Sequence, residues 1–229
     1  IIIFSLQHLL PGDPALVLAG ENPDEATLAA IRAQYHLDQP LIVQYLYWLK
    51  GVATGDLGES MRHNRPVLDL ILLKLPVTLQ LAVMSICIAL VVGISAGVIS
   101  ALRHNSTIDY ATNIASLAGI SVPNFWLGIM LILFFAVYLG WLPASGFVSP
   151  SEDLKMNLAT TIMPAFVLGT GIAGVIMRHT RGAMLQALSS DYVRTARAKG
   201  LNERTVVLKH AMRNALTPII TLGALEFGA

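Results

Sequence analysis

The chain has 229 residues, of which 55% are hydrophobic and 13% are charged. Soluble domains carry about 25% charged residues, so this charge content is typical of a membrane protein. The formal net charge of +1 argues against a nucleic-acid binder, and the hydrophobicity excludes a disordered chain. A single cysteine, Cys87, excludes an internal disulfide.

Long stretches without Asp, Glu, Lys or Arg predict the membrane spans. The three longest are 75–102 with 28 residues, 110–151 with 42 and 156–177 with 22. A bilayer core about 30 Å thick needs roughly 20 apolar residues of helix, so each stretch is long enough to span. In the second stretch, Pro123 and the interfacial run Trp141-Leu142-Pro143 divide a lead-in from a span. The expected fold is an all-α, polytopic membrane helix bundle.

These stretches divide the chain into nine predicted segments. In chain order they are the end of a first transmembrane span (1–10), an external helical segment (11–76), a transmembrane span (77–102), a cytoplasmic loop (103–109), a transmembrane span with a lead-in (110–139), an external loop (140–155), a transmembrane span (156–177), a cytoplasmic loop (178–215) and the start of a further span (216–229). Because both ends are apolar runs that stop mid-pattern, we expect four or five spans of a longer, truncated protein.

Basic residues set the predicted orientation. Residues 178–213 carry eight Lys and Arg against two acids, which favours a cytoplasmic location. The opposite side then receives 11–76, where apolar residues at helical spacing, such as Leu28, Ile31 and Tyr35, predict a folded external segment. Its aromatic residues near Trp48 pack either on the membrane surface or against an external partner.

Two glycine patterns have competing explanations. Residues 169–174 match the GxGxxG dinucleotide fingerprint, but they lie inside a charge-free span with no predicted βαβ unit around them. Residues 93–97 form a GxxxG pattern, in which small residues allow helix backbones to approach closely. We therefore expect helix packing in both places.

The residues that usually perform catalysis form no recognisable constellation. The six histidines are scattered, and the phosphate-binding GxxxxGK[ST] loop is missing from the sequence. We expect no catalytic, cofactor-binding or metal-binding residues. Glu226 is the lone acid in the predicted spans, which makes it a candidate pathway residue or a structural residue near a span end.

The cytoplasmic loop predicts two helices separated by a tight turn. Ser189 or Ser190 can cap a short helix that begins near Asp191, and Gly200 fits the left-handed position after its end. Asn202 can cap a second helix, with Leu208, Met212 and Ala215 predicted on its apolar side. An ordinary positive-inside loop is the alternative.

The same loop resembles a known family. The string YVRTARAKGLNERTVVLKHAMRNALTPIIT is similar to the coupling loop of binding-protein-dependent ABC importer permeases, in the variant of the dipeptide/oligopeptide group. The general importer signature is Glu-Ala-Ala, three residues and then Gly; here only Ala196 and Gly200 match it. Further resemblance lies in LPGDPA, LDQPLIVQYLYWL, GDLGES, RPVLDLILLKLPVTLQLA and LGWLPASGF, so it covers almost the whole chain.

The resemblance implies a six-span permease subunit that transports peptides or related small solutes and is not itself an enzyme. Its implied partners are a second permease subunit in a heterodimer, two ATPase subunits that use the ATP, an external solute-binding protein and membrane lipid, with no nucleic acid. The implied location is a bacterial or archaeal cytoplasmic (inner) membrane, crossed several times. The residues implied in ATPase coupling are Asp191, Arg194, Thr195, Ala196, Arg197, Lys199 and Gly200. Dipeptides, oligopeptides, glutathione, nickel complexes and sugars all remain open as substrates, and a secondary, ion-coupled transporter is the alternative function.

Overall fold

The computed structural model describes residues 4, 12–19, 24–60, 63 and 65–228. Apart from Phe4, the predicted end of a first span (1–10) lies outside the described residues. The described helices are α1 (Pro14–Ala19), α2 (Glu25–Gln34), α3 (Leu41–Ala53), α4 (Val67–Leu102), α5 (Thr107–Ser121), α6 (Asn124–Leu131), α7 (Leu154–Leu188), α8 (Asp191–Ala198), α9 (Glu203–Thr205) and α10 (Met212–Gly228). Two π-helical stretches, Ile132–Tyr138 and Val206–Ala211, extend α6 and join α9 to α10. The predicted all-α class is confirmed.

The chain divides into two compact units, Ile1–Pro76 and Val77–Ala229. In the first unit, a two-residue antiparallel strand pair follows the helices, with β1 (Glu59–Ser60) against β2 (Arg65–Pro66). Asp24 caps α2 because its Oδ1 accepts a hydrogen bond from the Thr27 backbone N–H at 2.9 Å. The helix predicted around Ile31 is therefore present.

Helix α4 begins ten residues before the predicted span boundary at 77. It has 36 residues, which corresponds to about 54 Å at 1.5 Å per residue and exceeds the thickness of a bilayer core. The residues that lengthen the helix at its start, VLDLILLKL at 67–75, are mostly leucine and contain no glycine, so they favour helix. The end of the predicted external segment is thus helical.

A sharp bend divides the predicted span 110–139. Helix α5 ends at Ser121 and α6 begins at Asn124, and the two helical arms are bent by 102°. Pro123 accounts for the break, because the residue before a proline is driven towards extended backbone, and Val122 has ψ 124°. Among the described residues, two helices (α4 and α7) are long and apolar enough to cross a membrane, or three if this bent pair is one span.

Helices α4, α5 and α7 approach closely at glycines. A Cβ on Gly93 would lie 2.8 Å from the Ala173 carbonyl oxygen, and one on Gly169 would lie 2.8 Å from the Ser85 carbonyl oxygen. Between α5 and α7, the Ser116 hydroxyl donates to the Gly174 carbonyl at 2.8 Å. Both glycine patterns therefore serve helix packing, as the sequence predicts.

A pair of amide side chains joins α4 to the beginning of α7. Gln80 Nε2 donates to Asn157 Oδ1 at 2.6 Å, and Asn157 Nδ2 donates to the Val148 carbonyl at 2.7 Å. Asp153 caps α7 by accepting the Met156 backbone N–H at 3.0 Å. The segment between α6 and α7 is thereby attached to the helical bundle.

Candidate functional site

Helix α8 and the turn after it form the site that the sequence singles out. Ser190 occupies the N-cap position with extended backbone, and Gly200 has φ +76°, the left-handed conformation predicted for it. The Ser190 side chain does not cap the helix, because its hydroxyl donates back to the Ala187 carbonyl at 2.5 Å. That bond ties the start of α8 to the last turn of α7, and only Ser189 and Ser190 separate the two helices.

Helix α8 has one buried face and one exposed face. Val193 is fully buried and Ala196 is 5% exposed; both pack in a cluster with Met184 and Ala187 of α7 and Ala211 of the π-helical stretch. The outer face carries the charges, with the Arg194 side chain 82% exposed. Helix α8 is thus amphipathic, with one side packed against its own chain and the other open to solvent.

The seven predicted coupling residues separate into two groups. Those exposed on the outer face and turn are Asp191, Arg194, Thr195, Arg197, Lys199 and Gly200. Ala196 is the exception, since burial in the cluster prevents a direct contact with a partner and instead makes it part of the attachment of α8. The role of the exposed group in docking stays a prediction.

An ion pair closes the turn around Gly200. Arg197 donates from Nη2 to Glu203 Oε1 at 2.6 Å and from Nε to Oε2 at 3.1 Å. These hydrogen bonds, together with charge attraction, lower the pKa of Glu203 and raise the pKa of Arg197. The guanidinium of Arg197 therefore bonds within the loop. Arg194 makes a longer contact, 3.5 Å from its Nη1 to Asp191 Oδ1, and its side chain remains largely exposed, as does Lys199.

The second helix of the loop begins as predicted, and two of its three predicted apolar residues are packed in the core, since Ala215 is buried and Met212 lies against the same cluster. Asn202 Oδ1 accepts the Arg204 backbone N–H at 3.0 Å and caps α9. For the third residue, Leu208, the prediction is wrong, because the residue is 58% exposed while Val206 and Val207 are buried. The π-helical stretch is the cause, since its wider turn shifts which residues face inward.

Sequence reasoning missed the ion pair between Asp109 of α5 and Arg181 of α7. Arg181 Nε donates to Asp109 Oδ1 at 2.7 Å and Nη2 donates to Oδ2 at 2.8 Å, in the bidentate geometry of strong charge-assisted bonds. Ser106 and Asp109 have the spacing of a capping box, and Ser106 Oγ accepts the Asp109 backbone N–H at 3.3 Å, but this pattern predicts the start of a helix and not the ion pair.

Glu226 lies near the end of α10 and is partly buried. Its assignment as a candidate pathway residue stays a prediction. In the part of the chain that the structure describes, no group of three or more His, Cys, Asp and Glu side chains is placed to hold a metal ion. The expectation that the chain carries no cofactor likewise remains an expectation.

Fold and site together define a helical membrane protein with a compact, two-sided helix in its basic loop. Residues 93–229 match the binding-protein-dependent transport system inner membrane components, and residues 1–82 match the N-terminal region of such membrane components. The chain belongs to this family, and it is a permease subunit of an ABC importer.

The chain is similar over most of its length to several curated proteins. It is 44% identical to a protein named as a peptide permease in Brucella suis biovar 1, over 97% of this chain and 71% of that one. It is 37% identical to the dipeptide transport system permease protein DppB of Alkalihalophilus pseudofirmus, over 100% of this chain and 74% of that one. It is 41% identical to the glutathione transport system permease protein GsiC of Escherichia coli O6:H1, over 100% of this chain and 72% of that one.

Proposed function

We propose that this subunit forms half of the transmembrane pathway of an ATP-driven importer and receives the motion of an ATPase subunit through α8. The observation that carries the proposal is the two-sided character of α8. Its inner residues, Val193 and Ala196, are buried against α7 and the π-helical stretch, while its outer face carries exposed charge. A force applied to the outer face is therefore transmitted to the helices behind it.

The proposed assembly contains this chain, a second permease subunit, two ATPase subunits and an external solute-binding protein. ATP is bound and hydrolysed by the ATPase subunits, and this chain performs no catalysis. In the proposed topology the chain crosses the inner membrane several times, with loop 178–215 in the cytoplasm and segments 11–76 and 140–155 outside. The eight basic residues of 178–213 support this orientation.

The proposed substrates are short peptides. The relatives named above are described as permeases for peptides, dipeptides and glutathione, itself a peptide. These substrates are small and polar, so a pathway between helices rather than partition through lipid is needed to carry them. The binding protein would make the first selection among them.

Site-directed cross-linking tests the docking face. In a chain whose single cysteine Cys87 is replaced by Ser, Thr195→Cys on the exposed face of α8 should cross-link to an ATPase subunit carrying a cysteine in its docking surface. Ser151→Cys, an exposed position in the proposed external loop, is the matched control and should give no such product. Cross-linking at 151, or none at 195 in an assembled complex, would overturn the docking assignment.

A further inference from the structure

The buried carboxylate of Asp109 joins three helices at one point. Its side chain is 3% exposed, and Arg181 of α7 binds both oxygens. Ser100 of α4 donates to Oδ1 at 2.5 Å, Asn113 of α5 donates to Oδ1 at 2.9 Å, and the Asn105 backbone N–H donates to Oδ2 at 2.9 Å. Five donors therefore saturate a carboxylate that offers about four lone-pair sites.

This pair is built for geometry more than for stability. A buried ion pair gains little over apolar packing, because removing two charges from water offsets most of their attraction. The pair instead fixes the arrangement of the helices, because a bidentate guanidinium sets both the distance and the angle between α5 and α7. Nearby, a Cβ on Gly97 of α4 would lie 2.6 Å from the Thr180 Cβ, so the third helix is in close contact one residue away from Arg181.

The pair lies directly behind the attachment of α8. Arg181 precedes the end of α7 at Leu188 by seven residues, about two helical turns. In those two turns Met184 and Ala187 enter the same buried cluster as Val193 and Ala196 of α8. The direction in which α8 leaves the bundle is thus set by the part of α7 that Asp109 holds.

We propose that Asp109 and Arg181 are positioning residues for coupling. They hold the last two turns of α7 against α4 and α5, so that a displacement of α8 moves the three helices as one body. Without the pair, the end of α7 can bend and absorb the displacement before it reaches the transport pathway. This inference rests on the proposed function, in which α8 receives the motion of an ATPase subunit.

The test measures substrate transported per ATP hydrolysed by the complete complex in proteoliposomes, beside its yield and melting temperature. Asp109→Asn and Arg181→Gln should each lower the ratio by about 2- to 30-fold, the range in which residues that connect sites modulate coupling. The double variant removes both charges and leaves two amides that can bond, so it should recover most of the ratio. Arg181→Lys, which keeps the charge without the fork, should be intermediate.

Thr180→Val is the control, because Thr180 is buried beside Arg181 and its hydroxyl has no hydrogen-bond partner within the described residues. Its ratio should equal that of the wild type. If the single charge variants fail to assemble, Ser100→Ala removes one donor, leaves the ion pair and should still lower the ratio. A normal ratio in the single variants or in Ser100→Ala would overturn the inference. So would a double variant whose fold loss equals the product of the two single-variant losses.

Failure of the proposed function gives a different result. A wild-type complex without ATP-driven uptake would contradict the importer assignment itself. A wild type with ATP-driven uptake, beside charge variants with an unchanged ratio, would contradict only the positioning role of Asp109 and Arg181.

Discussion

Replacement of Gly200 tests the effect of backbone conformation at the turn after α8 separately from the effect of side-chain size. Gly200 has φ +76°, and a Cβ added there meets no atom within 4 Å. Any penalty therefore comes from the left-handed backbone, which costs a non-glycine residue about 1–2 kcal/mol. Asparagine adopts this conformation more readily, whereas a β-branched residue is the least suited to it.

A penalty of that size shifts the balance between the native turn and a relaxed one by about 5- to 30-fold, since 1.4 kcal/mol corresponds to a factor of ten. We expect Gly200→Val to insert and assemble normally but to transport less substrate per ATP, by up to that factor. Gly200→Asn should stay within about twofold of the wild type, given that Asn is enriched in this backbone region.

The assay is peptide uptake by proteoliposomes with ATP hydrolysis measured in parallel. Gly140→Val provides the control, because Gly140 has φ +64°, has no atom within 4 Å of an added Cβ and lies in the proposed external loop. It should show the same backbone strain without loss of coupling. Normal uptake per ATP by Gly200→Val, or equal losses for Val and Asn, would refute the reasoning.

Two further predictions concern packing and charge. Gly97→Ala should lower the melting temperature of the purified complex, since its Cβ would lie 2.7 Å from the Met177 carbonyl oxygen; the same change at Gly182, with open space around it, should maintain or raise that temperature. Because Arg197 lowers the pKa of Glu203, their bond is fully present above the ordinary carboxyl pKa and is lost only as pH falls through the lowered value. The contribution of this pair to transport per ATP should thus stay constant between about pH 5.5 and 8, well above the usual Glu pKa of about 4.3. Glu203→Gln should reduce transport per ATP throughout that range, and a wild-type loss near neutral pH that the Gln variant abolishes would contradict this assignment.

Local signals made α8 and its turn predictable. Asp191 in the first turn and Gly200 after the last are placed by rules that involve only neighbouring residues, and the structure has both where the sequence puts them. The role of the glycine patterns was also predictable, because small residues within a charge-free span most often allow helices to pack closely.

Features that depend on distant residues were not predictable in the same way. Arg181 lies 72 residues from Asp109, and nothing in either neighbourhood of the sequence indicates which of several basic residues would pair with it. The exposure of Leu208 depends on a π-helical stretch that a regular helical period cannot anticipate. The start of α4 at Val67, by contrast, is indicated by local helix propensity, but the boundary at 77 was predicted from the charge pattern instead.

The most direct test of the central claim is uptake by the full complex in sealed proteoliposomes. The account predicts that uptake of a radiolabelled dipeptide requires ATP together with the ATPase subunits and the external binding protein, and that it persists when ion gradients are collapsed. Uptake driven by an ion gradient without ATP would contradict it and would favour a secondary transporter instead.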